Sequence, residues 1–155
     1  MGFRFDFDIA GDVQASRELL RFGNRAGNAK PAFESIYEDL LSMEEKQFDT
    51  EGRAASGGWA KLKATTEAAK AAQNLDPRIL HATLALNRSL TRRNDQNQLK
   101  ILTDKLLVFG STLEYLIFHQ KGTVNMPQRR PVELTLGMRR NVTKKLQRWV
   151  VKGKL

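Results

Sequence analysis

The sequence has no cysteine and only two histidines among its 155 residues. Disulfide bonds, thiolate nucleophiles and cysteine-based metal sites are therefore excluded. Neither His81 nor His119 has the spacing of a metal-binding HExxH helix. The glycine-containing stretch SGGWAKLK, residues 56–63, lacks the spacing of a phosphate-binding loop. The sequence therefore predicts a protein without catalytic residues, bound metal or cofactor.

Long apolar runs are also lacking, and none approaches the ~20 residues that cross a bilayer. The first residues, MGFRFDFDIAGD, carry acids where a secretory signal peptide has a basic start and an apolar stretch. We therefore expect no membrane contact and synthesis in a cytoplasm. With 41% hydrophobic and 28% charged residues, the composition suits one globular core. The length predicts a single domain spanning 1–155.

The excess of positive charge lies at the C-terminal end of the sequence. Residues 1–120 hold equal numbers of basic and acidic side chains, so the net charge of +9 resides in the last 35 residues. Those residues carry ten basic side chains and a single acid, Glu133. Such segregation indicates contact with an anionic partner, either nucleic acid or an acidic protein face. A solvated basic helix is the alternative.

The residues after Pro31 follow the spacing of one long helix in the N-terminal half. Pro31 suits a first helical turn. The apolar residues recur at i, i+3, i+4, i+7, i+8 and i+15, so they form one stripe that we expect to be mostly core: Phe33, Ile36, Tyr37, Leu40, Leu41 and Phe48. The acids are predicted on the other side of the helix: Glu34, Glu38, Asp39, Glu44 and Glu45.

The remaining elements predict an α+β fold, in which helices pack on a small antiparallel sheet. Alternating residues indicate strands at 3–7, a hairpin at 99–109 and a brief strand at 132–136. Further helices are expected from Asp12 to Arg21 with Leu19 and Leu20 inward, in the Ala-rich stretch 65–74, after Pro77, and within 111–122. Trp59, after two glycines, is predicted to anchor its loop onto the core or a neighbouring subunit.

An amphipathic basic helix is predicted to close the chain, from Gly137 to about Lys152. Trp149 lies on its apolar stripe and is a predicted packing anchor. Arg140, Lys144 and Arg148 recur at i+4 and form a line of charge about 12 Å long. This line is predicted to contact an acidic protein neighbour or the phosphates of DNA in a channel, with solvent as the alternative.

Read in order, one set of residues resembles the phage virion morphogenesis family, which includes tail-completion proteins of tailed bacteriophages. The similarity covers roughly residues 30–150. The residues that carry it are Gln47-Phe48, Glu51-Gly52, Trp59, Leu62, Thr65, Ile79-Leu80, Thr83, Leu86, Ser89-Leu90, Phe109-Gly110-Ser111, Tyr115, His119-Gln120, Gly122-Thr123 and Pro127–Pro131. The family pattern commonly has a glycine where this sequence has Leu84.

The resemblance implies a non-catalytic structural protein of the virion neck or tail, present in the host cytoplasm during assembly. It implies a ring of like subunits, possibly a hexamer, whose neighbours are the connector, tail terminator and tail tube. DNA in the channel is a further, non-specific contact. The candidate subunit faces are the helix 33–48 and the hairpin 99–110. A small nucleic-acid-binding module is the alternative function, and a small hydrolase is a weaker one.

Overall fold

A computed structural model describes residues 12–55 and 57–155, without the side chain of Asp12. The helices are α1 (Asp12–Gly27), α2 (Lys30–Asp49), α3 (Ala64–Ala72), α4 (Ala85–Thr91), α5 (Leu116–Lys121) and α6 (Leu136–Lys152). The strands β1 (Gln98–Leu102) and β2 (Leu107–Ser111) pair as an antiparallel hairpin. This arrangement confirms the predicted α+β class. The strand predicted at 3–7 lies outside the described residues.

Helix α2 forms the centre of the fold. Pro31 lies in its first turn, and the predicted stripe is buried except for Phe33, which is half-buried. The helix contacts α4, α6 and both strands. At its N-terminus, Ala29 N donates to Asp104 O in the hairpin turn over 2.8 Å. The tip of the hairpin therefore lies at the N-terminal end of α2.

The hairpin has two different faces. Lys100 and Phe109 are paired across the strands and lie on the inner face. Phe109 packs edge-on to Tyr37 of α2 at a centroid separation of 5.9 Å. The Lys100 ammonium lies 3.9 Å from the centroid of the same tyrosine ring, a cation–π contact. The residues that alternate with Lys100 and Phe109 along the two strands therefore form an outer face.

A second apolar cluster lies at the C-terminal end of α2. It is formed by Phe48, Trp59, Ile79, Leu86 and Leu90. These residues come from α2, α4 and the loops between helices, where hydrophobic periodicity gives little signal. The cluster joins the middle of the chain to the end of α2.

Three segments differ from the sequence-based expectation. Residues 132–136 are not a strand, because Gln120 bonds both Val132 N (3.3 Å) and Val132 O (2.8 Å) and so replaces a strand partner. The helix expected after Pro77 is shorter and begins at Ala85, because Leu80 and Leu84 have φ of 61° and 59°. Such left-handed residues interrupt a right-handed helix.

The third difference concerns α1, which continues to Gly27 instead of ending at Arg21. Leu19 and Leu20 were expected to face inward, and they are 67% and 68% exposed. Helix α1 therefore forms, but no described residue covers the side on which Leu19 and Leu20 lie.

Candidate assembly surfaces

Helix α1 is hydrogen-bonded to the end of α6 near its own C-terminal end. Arg25 Nη1 donates to the carbonyl oxygens of Val151 (2.7 Å) and Val150 (3.2 Å) at the end of α6. Trp149 Nε1 donates in return to Asn28 O (2.9 Å) and Arg25 O (3.2 Å). The structure thus places the predicted anchor Trp149 at the junction of α1 and α6, where it is half-buried.

The rest of α1 presents an uncovered apolar face. Val13 and Leu20 are seven residues apart and share one side of the helix, and Leu19 lies beside them. Val13 is 64% exposed, and the small residues Ser16 and Gly23 on the same side are exposed as well. An amphipathic helix of a folded monomer normally buries this face. An exposed apolar face of this kind marks a contact site.

The outer face of the hairpin is also apolar. Leu99 and Ile101 are 37% and 45% exposed. Their cross-strand partners are Gly110 and Val108. A Cβ atom added at Gly110 would meet nothing within 4 Å, so the surface there is open. An antiparallel sheet that faces solvent is usually polar on that side. The hairpin is therefore a second candidate contact surface.

The predicted line of charge lies on the solvent side of α6. Arg140, Lys144 and Arg148 are all exposed, and within residues 12–55 and 57–155 none of their side chains has a hydrogen bond or ion pair. The opposite side of α6 is fastened to α2, where Lys145 Nζ lies 2.6 Å from Asp39 Oδ2 and 2.8 Å from Ser35 Oγ. These three side chains are therefore available to bind a partner.

Trp59, the other predicted anchor, is buried and packs edge-on to Phe48 at a centroid separation of 5.3 Å. Its indole lies over Gly52, where an added Cβ would be 2.4 Å from Trp59 Cδ1. Gly52 also has φ of +86°, so both its conformation and its lack of a side chain are required. Trp59 therefore contacts the core of its own chain.

Several residues that carry the family resemblance form hydrogen bonds in this region. Gln47 Nε2 and Trp59 Nε1 both donate to Arg130 O, over 3.4 and 3.0 Å. The carboxylate of Glu51 accepts from Ile79 N over 2.8 Å. Segments that are far apart in sequence are thus held together by side chains bonded to backbone atoms, which stabilises irregular chain.

A cavity of about 500 Å³ lies beside this cluster. Its lining is mostly apolar, but it contains three cationic side chains: Lys63, Lys70 and Arg129. Lys70 and Arg129 are only 8% and 6% exposed, and charge patterning in the sequence selected neither of them. Burial lowers the pKa of both side chains. Arg129 lies in the Pro127–Pro131 loop, so the signal that could have found it was the resemblance rather than charge patterning.

Glu44 is a buried carboxyl group on α2. It was expected on the solvent side, yet it is 0% exposed. Neither carboxyl oxygen has a hydrogen-bond partner in the part of the chain that the structure describes. Burial raises the pKa of Glu44 to about 8 from its ordinary value of 4.5. The group is therefore largely protonated at neutral pH, because the charged form is poorly solvated.

Within the described ranges, no three His, Asp or Glu side chains are grouped to hold a metal ion. No described helix is both long and apolar enough to span a membrane. No protein-family model matches the chain, and no curated protein or solved structure gives a significant match.

Proposed function

We propose that this chain is a structural assembly protein of a tailed bacteriophage virion, acting in head–tail joining or tail completion as part of a ring at the neck. The observation that carries an assembly role is the uncovered apolar face of α1. An isolated subunit leaves that face in water, and a neighbouring subunit would remove it from water.

The conformation of Leu84 supports the family resemblance. This residue stands where the family pattern commonly has glycine, and its φ of 59° lies in the left-handed region. Glycine adopts this conformation at little cost, whereas leucine does so rarely. The turn therefore keeps a glycine-like geometry although the glycine is absent.

A ring needs two different faces on each subunit that meet head-to-tail. The apolar face of α1 and the outer face of the hairpin are two such surfaces. The stripe of α2, considered from the sequence as a subunit face, is already buried within the chain. We therefore assign the first face to α1 and keep the hairpin as the second.

The test is the double substitution Leu19→Ser and Leu20→Ser. Both side chains are exposed, so the free energy of unfolding should change by no more than about 0.5 kcal/mol per site. Rings in electron micrographs, and heads joined to tails in infected cells, should be lost because the subunit contact is apolar.

The matched control is Gln14→Ser with Arg21→Ser, on the polar side of the same helix, where both residues are exposed. The ion pair that Arg21 loses with Glu18 is also exposed and contributes little stability. This variant should assemble normally. Rings and joined particles that form at native levels with the leucine variant would refute the proposed role of α1.

Binding of duplex nucleic acid is a second candidate function, favoured by the exposed line Arg140, Lys144 and Arg148. It requires tight binding by the monomer, with an affinity that falls steeply as salt increases. Weak duplex binding by the monomer, together with ring formation, would exclude it in favour of the structural role.

A further inference from the structure

The cavity beside α3, α4 and α5 is lined by two buried cations, Lys70 and Arg129. Its described lining includes no aspartate or glutamate. Arg129 donates from Nε to Ala60 O (2.7 Å) and from Nη2 to Lys61 O (3.0 Å). A guanidinium has five N–H donors, so three remain available. Within the described residues, Arg129 is thus a buried cation held by backbone oxygens alone.

Lys70 is in a similar position. Its Nζ donates to Arg78 O over 2.6 Å, which leaves two of its three donors available. Asp76 and Glu51 attract the Lys70 ammonium from a distance and form no ion pair with it within the described residues, and Asp76 is paired with Arg78. Burying a cation without an anion is unfavourable. Arg129, which has no acidic partner among the described residues, therefore favours an anionic ligand, to which Lys70 could also donate.

The remaining lining suits a ligand that also has an apolar part. Most of the wall is apolar: Leu62, Leu80, Leu84, Leu86, Met126 and Pro127. The volume of about 500 Å³ suits a small ligand or a few side chains. Leu80 and Leu84 both have left-handed backbones at this wall, and strain of this kind concentrates at binding sites.

We propose that this cavity binds a carboxylate carried on an apolar group, and that its occupant is the segment Phe3–Asp8 of a second copy of the chain. That segment reads FRFDFD and places two aspartates between and after aromatic residues. The assignment of a second copy rests on the proposed self-assembly, whereas the ligand chemistry rests on the cavity alone.

The layout of the fold separates the C-terminal end of α1 from the cavity. The segment precedes α1. The C-terminal end of α1 lies at the N-terminal end of α2. The cavity lies at the other end, because Leu62 and Leu80 in its wall pack against the cluster containing Phe48. From Ala29 to Phe48, α2 spans about 28 Å. The C-terminal end of α1 and the cavity therefore lie at opposite ends of α2.

The proposed subunit contact also leads towards the cavity. An α1 helix on the hairpin of a neighbour would cover Leu99 and Ile101. Strand β2 ends at Ser111, and Tyr115 and His119 follow it in the cavity wall. Residues preceding that α1 would therefore have a short path from the neighbour's hairpin to its cavity.

The first experiment places a photo-cross-linking residue in the segment, as Phe5→p-benzoylphenylalanine in the full chain. Isotopically heavy and light chains are mixed, assembled and irradiated. Cross-links from position 5 to Met126 or Leu84 should join heavy to light chains. Cross-links confined to one chain, or to residues away from the cavity, would overturn the proposal.

The second experiment measures binding of an end-blocked peptide of residues 2–11 to the full native chain. A peptide with Asp6→Asn and Asp8→Asn should bind about tenfold more weakly or worse, because charge-assisted hydrogen bonds are lost. The chain variant Lys70→Met should show a similar loss, and Lys46→Gln, an exposed lysine of α2, should not.

The two peptides alone decide the question if Lys70→Met does not fold. Equal binding of both peptides would refute the cavity site. Rings that form without any cross-link to the cavity would refute this inference and leave the assembly role standing. Peptide binding that depends on the aspartates, in a protein that forms no ring, would support the cavity and refute the assembly role.

Discussion

Trp59 donates a hydrogen bond from its indole Nε1 to the carbonyl oxygen of Arg130, 71 residues later, over 3.0 Å. Arg129, the preceding residue, bonds back to the carbonyl oxygens of Ala60 and Lys61. The loop after Trp59 and the loop around Arg130 therefore hold each other through side chain to backbone bonds. Each depends on the other for its conformation.

We expect Trp59→Ala to lower the free energy of unfolding by about 3–5 kcal/mol, because it empties a buried site beside Phe48. Trp59→Phe keeps most of the volume and removes the indole donor, so its cost should be smaller. Urea unfolding measures both. Equal stability of the native and alanine proteins would show that the indole does not anchor the two loops.

Glu44 predicts a stability that depends on pH. The folded protein holds a proton on this carboxyl up to about pH 8, whereas the unfolded chain releases it near 4.5. The contribution of Glu44 to stability should therefore be greatest below pH 4.5 and decrease as pH rises to 8, by at most about 1.4 kcal/mol per pH unit. Urea unfolding at several pH values measures the slope.

Glu44→Gln should remove most of that slope, because glutamine has no proton to lose. The matched control is Glu45→Gln, the exposed neighbour on the same helix, which should keep the native slope. An unchanged slope in Glu44→Gln would mean that Glu44 titrates normally in the folded protein.

The basic line on α6 is predicted to serve assembly rather than folding. Arg140, Lys144 and Arg148 are exposed and unpaired in the described structure, so changing all three to Gln should leave thermal unfolding nearly unchanged. Joined heads and tails should become fewer, because an acidic neighbour loses its partners. Native assembly and infectivity of the triple variant would show that the line is a solvated face.

Regular elements could be predicted from the sequence because their signals are local. The stripe from Ile36 to Phe48 and the alternation in the hairpin depend on spacing alone. Glu44 shows the limit of residue type as a guide. It follows Leu40 and Leu41 by four and three residues, which places it on the buried stripe, yet its charge suggested the opposite side.

The errors arose where distant residues decide the conformation. The side chain of Gln120 bonds the backbone N–H and carbonyl group of Val132, and these groups are then not available to a strand partner. No local sequence pattern reveals this contact. The exposure of Leu19 follows from the position of α1, which is set by Arg25 and Trp149 near one end of the helix. Arg129 was passed over because one arginine in a basic segment gives no sign of its burial.

Helix α2 has a consequence for the size of any ring. The C-terminal end of α1 lies at one end of α2 and the wall of the cavity lies at the other, about 28 Å away. If the segment before α1 occupies the cavity of a neighbour, α2 lies between these two sites of each subunit as a rigid spacer. Seven extra residues in α2 would keep its buried stripe in phase and lengthen it by about 10 Å. The circumference of the ring, and hence the width of its opening, would then depend on a helix whose apolar side contacts no neighbour.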